Sequence, residues 1–191
     1  DGAYEPAILK YKQLLDQYPF DANAEEASLK IAQAHYQNQK YQEAIAAYAD
    51  FQRMHPTSEN LPSVQYHIGM SYLAQASTSD RDQEPLRQAL TYFANLVDRY
   101  PTSPWTEKAR LRQRECRESL AKHHRDIAAW YIRHDNIQAA ESRLANLLSD
   151  YPDTDAAADT LDLFAREYGK RDDNESATLA RATLLRHHPN G

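Results

Sequence analysis

Two histidine pairs, His123-His124 and His187-His188, and the single Cys116 are the residues of this chain best suited by type to metal or nucleophilic chemistry. Adjacent residues on a helix point about 100° apart, so neither pair presents two ligands to one ion, and no metal site is expected. A single cysteine forms no intrachain disulfide and no thiolate cluster, and Cys116 reads as a small core residue rather than a reactive thiol. The sequence contains no glycine-rich phosphate loop, no His-Glu-x-x-His, no nucleophile elbow and no Cys-x-x-Cys, so catalytic residues, cofactors and enzymatic activity are not expected. Arg110, Arg114 and Arg117 form a basic stripe, but Glu115 and Glu118 interleave with it, which is the pattern of a solvated, salt-bridged helix face. The formal charge of −6 and a pI near 5.7 argue against nucleic-acid binding, which rests on neutralising phosphates.

Composition points to helices. Val occurs twice and Gly four times, while Ala, Leu, Glu, Gln and Arg are abundant, a helix-forming vocabulary with little β-branched material. No apolar run approaches the roughly 20 residues that span a bilayer. The chain begins at Asp1 without an apolar signal segment, so a trimmed or processed chain is expected.

The elements follow from an internal repeat. Five prolines follow an aromatic or histidine: Pro19, Pro56, Pro101, Pro152 and Pro189. Twelve residues before them stand Ala7, Ala44, Ala89, Ala140 and Ala177. Eight before stand Tyr11, Tyr48, Phe93, Leu144 and Arg181, and five before stand Leu14, Phe51, Leu96, Leu147 and Leu184. Steps of four and three place these positions on one helical face. Upstream lie the small residues Ala32, Gly69, Ala128 and Ala165, each followed three residues later by His35, Tyr72, Tyr131 or Tyr168. A small residue on one helix facing an alanine on the next, with rings between and a closing proline, is the tetratricopeptide pattern. The predicted fold is all-α: a tetratricopeptide-type helical solenoid of about five repeats, the first incomplete, with four helix pairs after one residual helix.

Spacings between the prolines are 37, 45, 51 and 37. The extra residues of the third repeat fall around Ala76 to Pro85 and read as a surface loop containing Asp80-Arg81-Asp82-Gln83. Those before the fourth fall in a stretch without Gly or Pro from Trp105 to Asn136, where one long helix is expected. The prolyl tyrosines read as packing residues, because they recur with the repeat. Stacked helix pairs make a wall suited to extended peptides or partner domains, so the residues imply a protein-binding scaffold without naming a partner.

The ordered set Tyr18-Pro19-Phe20, Tyr41-Gln42-Glu43-Ala44-Ile45, His55-Pro56-Thr57, Asp80-Arg81-Asp82-Gln83, Arg99-Tyr100-Pro101 and Asp150-Tyr151-Pro152-Asp153-Thr154 resembles the BamD family across essentially the whole chain. These are tetratricopeptide lipoproteins of the bacterial outer-membrane β-barrel assembly machinery. The resemblance implies a protein at the periplasmic face of the outer membrane, anchored by a lipidated cysteine upstream of Asp1. It implies N-terminal repeats (1–103) that receive unfolded outer-membrane proteins and C-terminal repeats (104–191) that dock on the periplasmic domain of BamA. Other lipoproteins of the complex are further implied partners. Tyr18, Phe20 and Tyr36 are the expected substrate-binding residues, taking aromatic-rich extended segments; Arg143 and Tyr131 are the expected partner-binding residues. One departure stands out: Glu5 lies where some members carry a basic residue. The alternative is a generic tetratricopeptide adaptor for a different partner.

Overall fold

The computed structural model describes residues 4–19, 21, 23–76 and 82–189. Among them the chain forms nine α-helices and no strand: α1 (Tyr4–Gln17), α2 (Ala24–Gln37), α3 (Tyr41–Met54), α4 (Leu61–Ala76), α5 (Glu84–Arg99), α6 (Thr106–Arg133), α7 (Ile137–Asp150), α8 (Asp155–Lys170) and α9 (Asn174–His187). This is the expected set, one helix followed by four pairs. The chain divides into two compact units, Asp1–Cys116 and Arg117–Gly191, and the division falls inside α6. Of the expected surface loop, Asp82 and Gln83 lie outside any helix, while Asp80 and Arg81 fall outside the described residues.

Every repeat closes with the same bond. The backbone N–H groups of Tyr18, His55, Tyr100, Tyr151 and His188 donate to the carbonyls of Leu14, Phe51, Leu96, Leu147 and Leu184 at 2.8 to 2.9 Å. The proline that follows each has no N–H with which to continue, so the helix stops in register five times.

The turn inside three of the pairs also repeats. Gln39, Asp135 and Asp172 have φ of 59°, 56° and 59°, the left-handed region that L-residues rarely adopt. Each stands 17 residues before the proline of its repeat. The residue after each one, Lys40, Asn136 and Asp173, donates its N–H to a carbonyl five residues back, His35, Tyr131 and Tyr168, at 3.0 Å. That is the helix-terminating motif that satisfies otherwise orphaned carbonyls.

Small residues set the pairing distance. Ala32 and Ala44, Gly69 and Ala89, Ala128 and Ala140, and Ala165 and Ala177 are all buried. Gly69 is the tightest: a Cβ built on it would lie 2.7 Å from Phe93 Cε1 and 2.9 Å from Cζ. Only glycine lets α4 and the fully buried Phe93 of α5 meet at this distance. Ala7 is half-buried, since no described helix precedes α1 to cover it.

In the first unit Tyr48, Phe51, Val64 and Ile68 pack with Ala32 and Ala44, and Ile8, Ile31 and Ala34 join α1 to α2. Burying each large side chain contributes about 1.5–3 kcal/mol. In the second unit Ala128, Ala140 and Phe164 form the core, with Tyr131, Leu144 and Tyr168 against them. There Glu118 of α6 accepts from the backbone N–H groups of Asp155 (3.0 Å) and Ala156 (3.1 Å), so its carboxylate sits on the positive N-terminus of α8.

Candidate functional site

The chemistry-bearing residues resolve into structural roles first. Cys116 is fully buried, and burial pushes its thiol up to about 12, so it holds its proton at neutral pH. His188 donates through Nε2 to the Pro152 carbonyl at 3.0 Å, and the rings of His123 and His124 meet edge-on, 6.3 Å apart. In the basic stripe Arg110 faces Glu107 at 3.4 Å and Arg117 pairs with Asp153. Among the described residues no group of three or more metal-ligating side chains comes together, and no helix is long and apolar enough to cross a membrane.

Of the expected substrate residues, Phe20 falls outside the described residues. Tyr18 follows the last residue of α1 and is 59% exposed. It therefore departs from the packing role expected of the prolyl tyrosines. Tyr151 is buried, and Tyr100 packs against the α2–α4 core. Tyr36, in the last turn of α2, is half-buried with its edge toward Tyr41 (5.8 Å) and His67 (5.7 Å), and burial raises its hydroxyl's pKa. No described contact joins Tyr18 to Tyr36.

Tyr36 belongs instead to a ring cluster that sequence reasoning did not assemble. His67 of α4 stacks on Tyr48 (5.8 Å), meets Tyr66 (5.5 Å) and Trp105 (5.2 Å) edge-on, and donates Nδ1–H to the Ser63 carbonyl at 2.8 Å. Burial holds its imidazole below the usual histidine range. Tyr66 lies 5.0 Å from Trp105. Lys108 sits 4.5 Å over the Trp105 ring, and Arg112, which bonds Glu115 at 2.7 Å, lies near the Tyr66 hydroxyl. The rim of this cluster thus combines aromatic faces with two cations. The available signal was Tyr66-His67 beside the expected ring position Tyr72; what it lacked was the return of Trp105 from a distance of 39 residues.

Glu5 has a partner of its own, Lys40 at 2.5 Å, with Asn38 at 3.3 Å. The hydrogen bond from Lys40 holds the Glu5 carboxyl below its usual range. Its charge is thus spent within the fold, on the turn between α2 and α3.

On the expected partner side, Arg143 of α7 is half-buried and makes no hydrogen bond or ion pair among the described residues. Glu141, two residues earlier on α7 and so turned to another face of that helix, accepts from the Tyr168 hydroxyl at 2.7 Å. Tyr131 and Leu144, the residue after Arg143, pack on the same core cluster. Beside them Trp130 is 48% exposed and stacks on His134 at 4.0 Å, a geometry fixed by the bond from His134 Nδ1 to the Trp130 carbonyl. The spacing of Trp130 and His134, one helical turn, was the legible sign of that pair.

Comparison with known proteins bears on what these surfaces serve. The family model described as YfiO, outer membrane lipoprotein, matches residues 1–184. The outer membrane protein assembly factor BamD of Vibrio cholerae serotype O1 is 33% identical over 177 residues, covering 87% of this chain and 73% of that protein. The same factor from Pasteurella multocida is 28% identical over 194 residues, covering 96% and 75%. A solved tetratricopeptide protein of the thermophile Thermus thermophilus is 17% identical with a TM-score of 0.42, covering 99% of this chain and 85% of its own.

Proposed function

The chain belongs to the YfiO family of outer membrane lipoproteins, and from that membership we propose that it is a non-enzymatic scaffold in outer-membrane protein assembly. The observation that carries the reading is the reach of the match, residues 1–184, which takes in eight helices whole and most of the ninth. A scaffold needs surfaces that its own fold leaves open, and each unit has at least one.

In the second unit the open surface is Arg143 with Tyr131 and Trp130. Arg143 carries a planar fork suited to bidentate pairing with a carboxylate, and among the described residues that half-buried fork makes no hydrogen bond or ion pair. We assign this surface to the periplasmic domain of BamA, within the C-terminal stretch 104–191. In the first unit the open surface is Tyr18 together with the ring cluster reached through Tyr36, within 1–103. Rings that are partly exposed give affinity without demanding one sequence, which suits a receiver of many unfolded outer-membrane proteins. Such binding is weak, because an unfolded segment loses chain entropy when it docks. The whole operates at the periplasmic face of the outer membrane, held by a lipid anchor and accompanied by other lipoproteins of the complex.

Hydrogen exchange tests the client half of this reading. Peptides from the C-terminal ends of outer-membrane barrels should slow exchange of amides around Tyr18 and Tyr36. Unchanged exchange throughout the first unit at saturating peptide would remove the client role.

A further inference from the structure

A second open surface of the first unit takes a different shape of partner. Between α1 and α3, floored by α2, runs a groove of about 400 Å³. Its apolar surface comes from Leu15, Ile31, Ala46 and Met54, and Met54 is 53% exposed. Charges border it unequally: Lys12 stands on the α1 side, Glu43 and Asp50 on the α3 side. Neither Tyr18 nor Tyr36 lines it.

Three features define the occupant. Glu43 and Asp50 are seven residues apart on α3, hence two turns, on one face and about 10.5 Å along the axis. Glu43 makes no ion pair among the described residues, and Asp50 has only the exposed local contact with Arg53 at 2.8 Å, a kind of pair that contributes little and exchanges readily. Between the two carboxylates Ala46 and Ala47 keep α3 narrow, which allows a facing backbone to approach closely. On the floor, His35 Nδ1 is buried without a hydrogen-bond partner among the described residues, while burial keeps its imidazole below the usual histidine range.

We propose that this groove is a docking site for an amphipathic α-helix of a partner protein, carrying basic residues two turns apart along an apolar stripe. A helix presents residues i and i+7 on one face at the spacing of Glu43 and Asp50. An extended strand covers the same 10.5 Å in about three residues, and residues three apart in a strand point to opposite faces. The charges of the groove thus select a helix over the extended segments assigned to the ring surface. An acidic residue on the helix's other flank meets Lys12.

The test uses the intact chain and two fluorescently labelled helical peptides of about four turns, identical in composition, with an alanine-leucine seam. One carries lysines at i and i+7; in the other the second lysine is moved to i+5, about 140° round the helix. Anisotropy titration should show the first binding at least about tenfold more tightly, an advantage that shrinks as salt rises. The double variant Glu43→Lys, Asp50→Lys should abolish that preference. Ala46→Trp, which fills the groove from an exposed position, should weaken the first peptide while leaving the circular dichroism unchanged. Equal affinity of the two peptides for the wild-type chain overturns the proposal without recourse to any variant. Displacement of the first peptide by an extended, aromatic-rich barrel peptide overturns it as well, since the groove would then belong to the client surface.

Discussion

Replacing Gly69 by alanine sets two opposed effects against each other, and the structure gives their sizes. Alanine is the better helix former by about 1 kcal/mol. Its Cβ, however, would lie 2.7, 2.9 and 3.0 Å from three atoms of the Phe93 ring, inside normal contact. Phe93 is fully buried and lies against Tyr66 at 5.7 Å, so its ring has little room to retreat. Overpacking of this kind costs about 1–3 kcal/mol. The sum is a net loss of about 1 kcal/mol, with α4 and α5 pushed apart. Gly169, in the last turn of α8, is the internal control: a Cβ there meets nothing within 4 Å, so Gly169→Ala gains about 0.5–1 kcal/mol from propensity alone. Urea unfolding of both variants, followed by circular dichroism, should move the midpoints in opposite directions. If Gly69→Ala were as stabilising as Gly169→Ala, close packing would not be why glycine stands in α4.

Gln39→Gly relieves a left-handed residue in the turn before α3 and should stabilise the first unit by about 1 kcal/mol, seen as a higher urea midpoint. His67 links stability to pH: the fold keeps it neutral below the ordinary histidine value of about 6.5, so the unfolded chain binds the extra proton. Its contribution is therefore intact above that pH and falls as pH drops from there to the folded value, at no more than about 1.4 kcal/mol per pH unit. His35 shifts the same way, so His67→Gln should flatten, but not erase, the decline measured by urea titration between pH 7 and 5. Arg143→Glu should weaken binding of the BamA periplasmic domain by about 2–5 kcal/mol if the fork is desolvated there, with thermal stability unchanged. A loss of about 1 kcal/mol or less would make Arg143 a rim residue.

The repeat register was legible in the sequence because it is written in local chemistry. A proline without an N–H and an alanine twelve residues earlier carry the pattern on their own, and the five closing bonds and four small-residue pairs follow it. The exceptions have physical reasons. Ala7 is only half-buried because no described helix precedes α1, and Arg181, at a ring position of the repeat, is exposed because no described helix follows α9. The left-handed turns at Gln39, Asp135 and Asp172 were not legible, since none is glycine and only their shared distance from the proline marks them. The ring cluster around His67 and the groove between α1 and α3 were hidden for another reason. Each joins residues from three or more elements, and a period of 3.6 reports a helix's own face but not what lies across from it. Tyr36 was found for its ring, whereas Tyr66 and Trp105, which complete its surroundings, needed the fold.

Calorimetric titration of the intact chain with the BamA periplasmic domain of the same bacterium tests the scaffold role most directly. Saturable one-to-one binding by the folded wild-type chain is expected, diminished in Arg143→Glu. No saturable binding at any salt concentration, by a chain whose circular dichroism shows it folded, would contradict it.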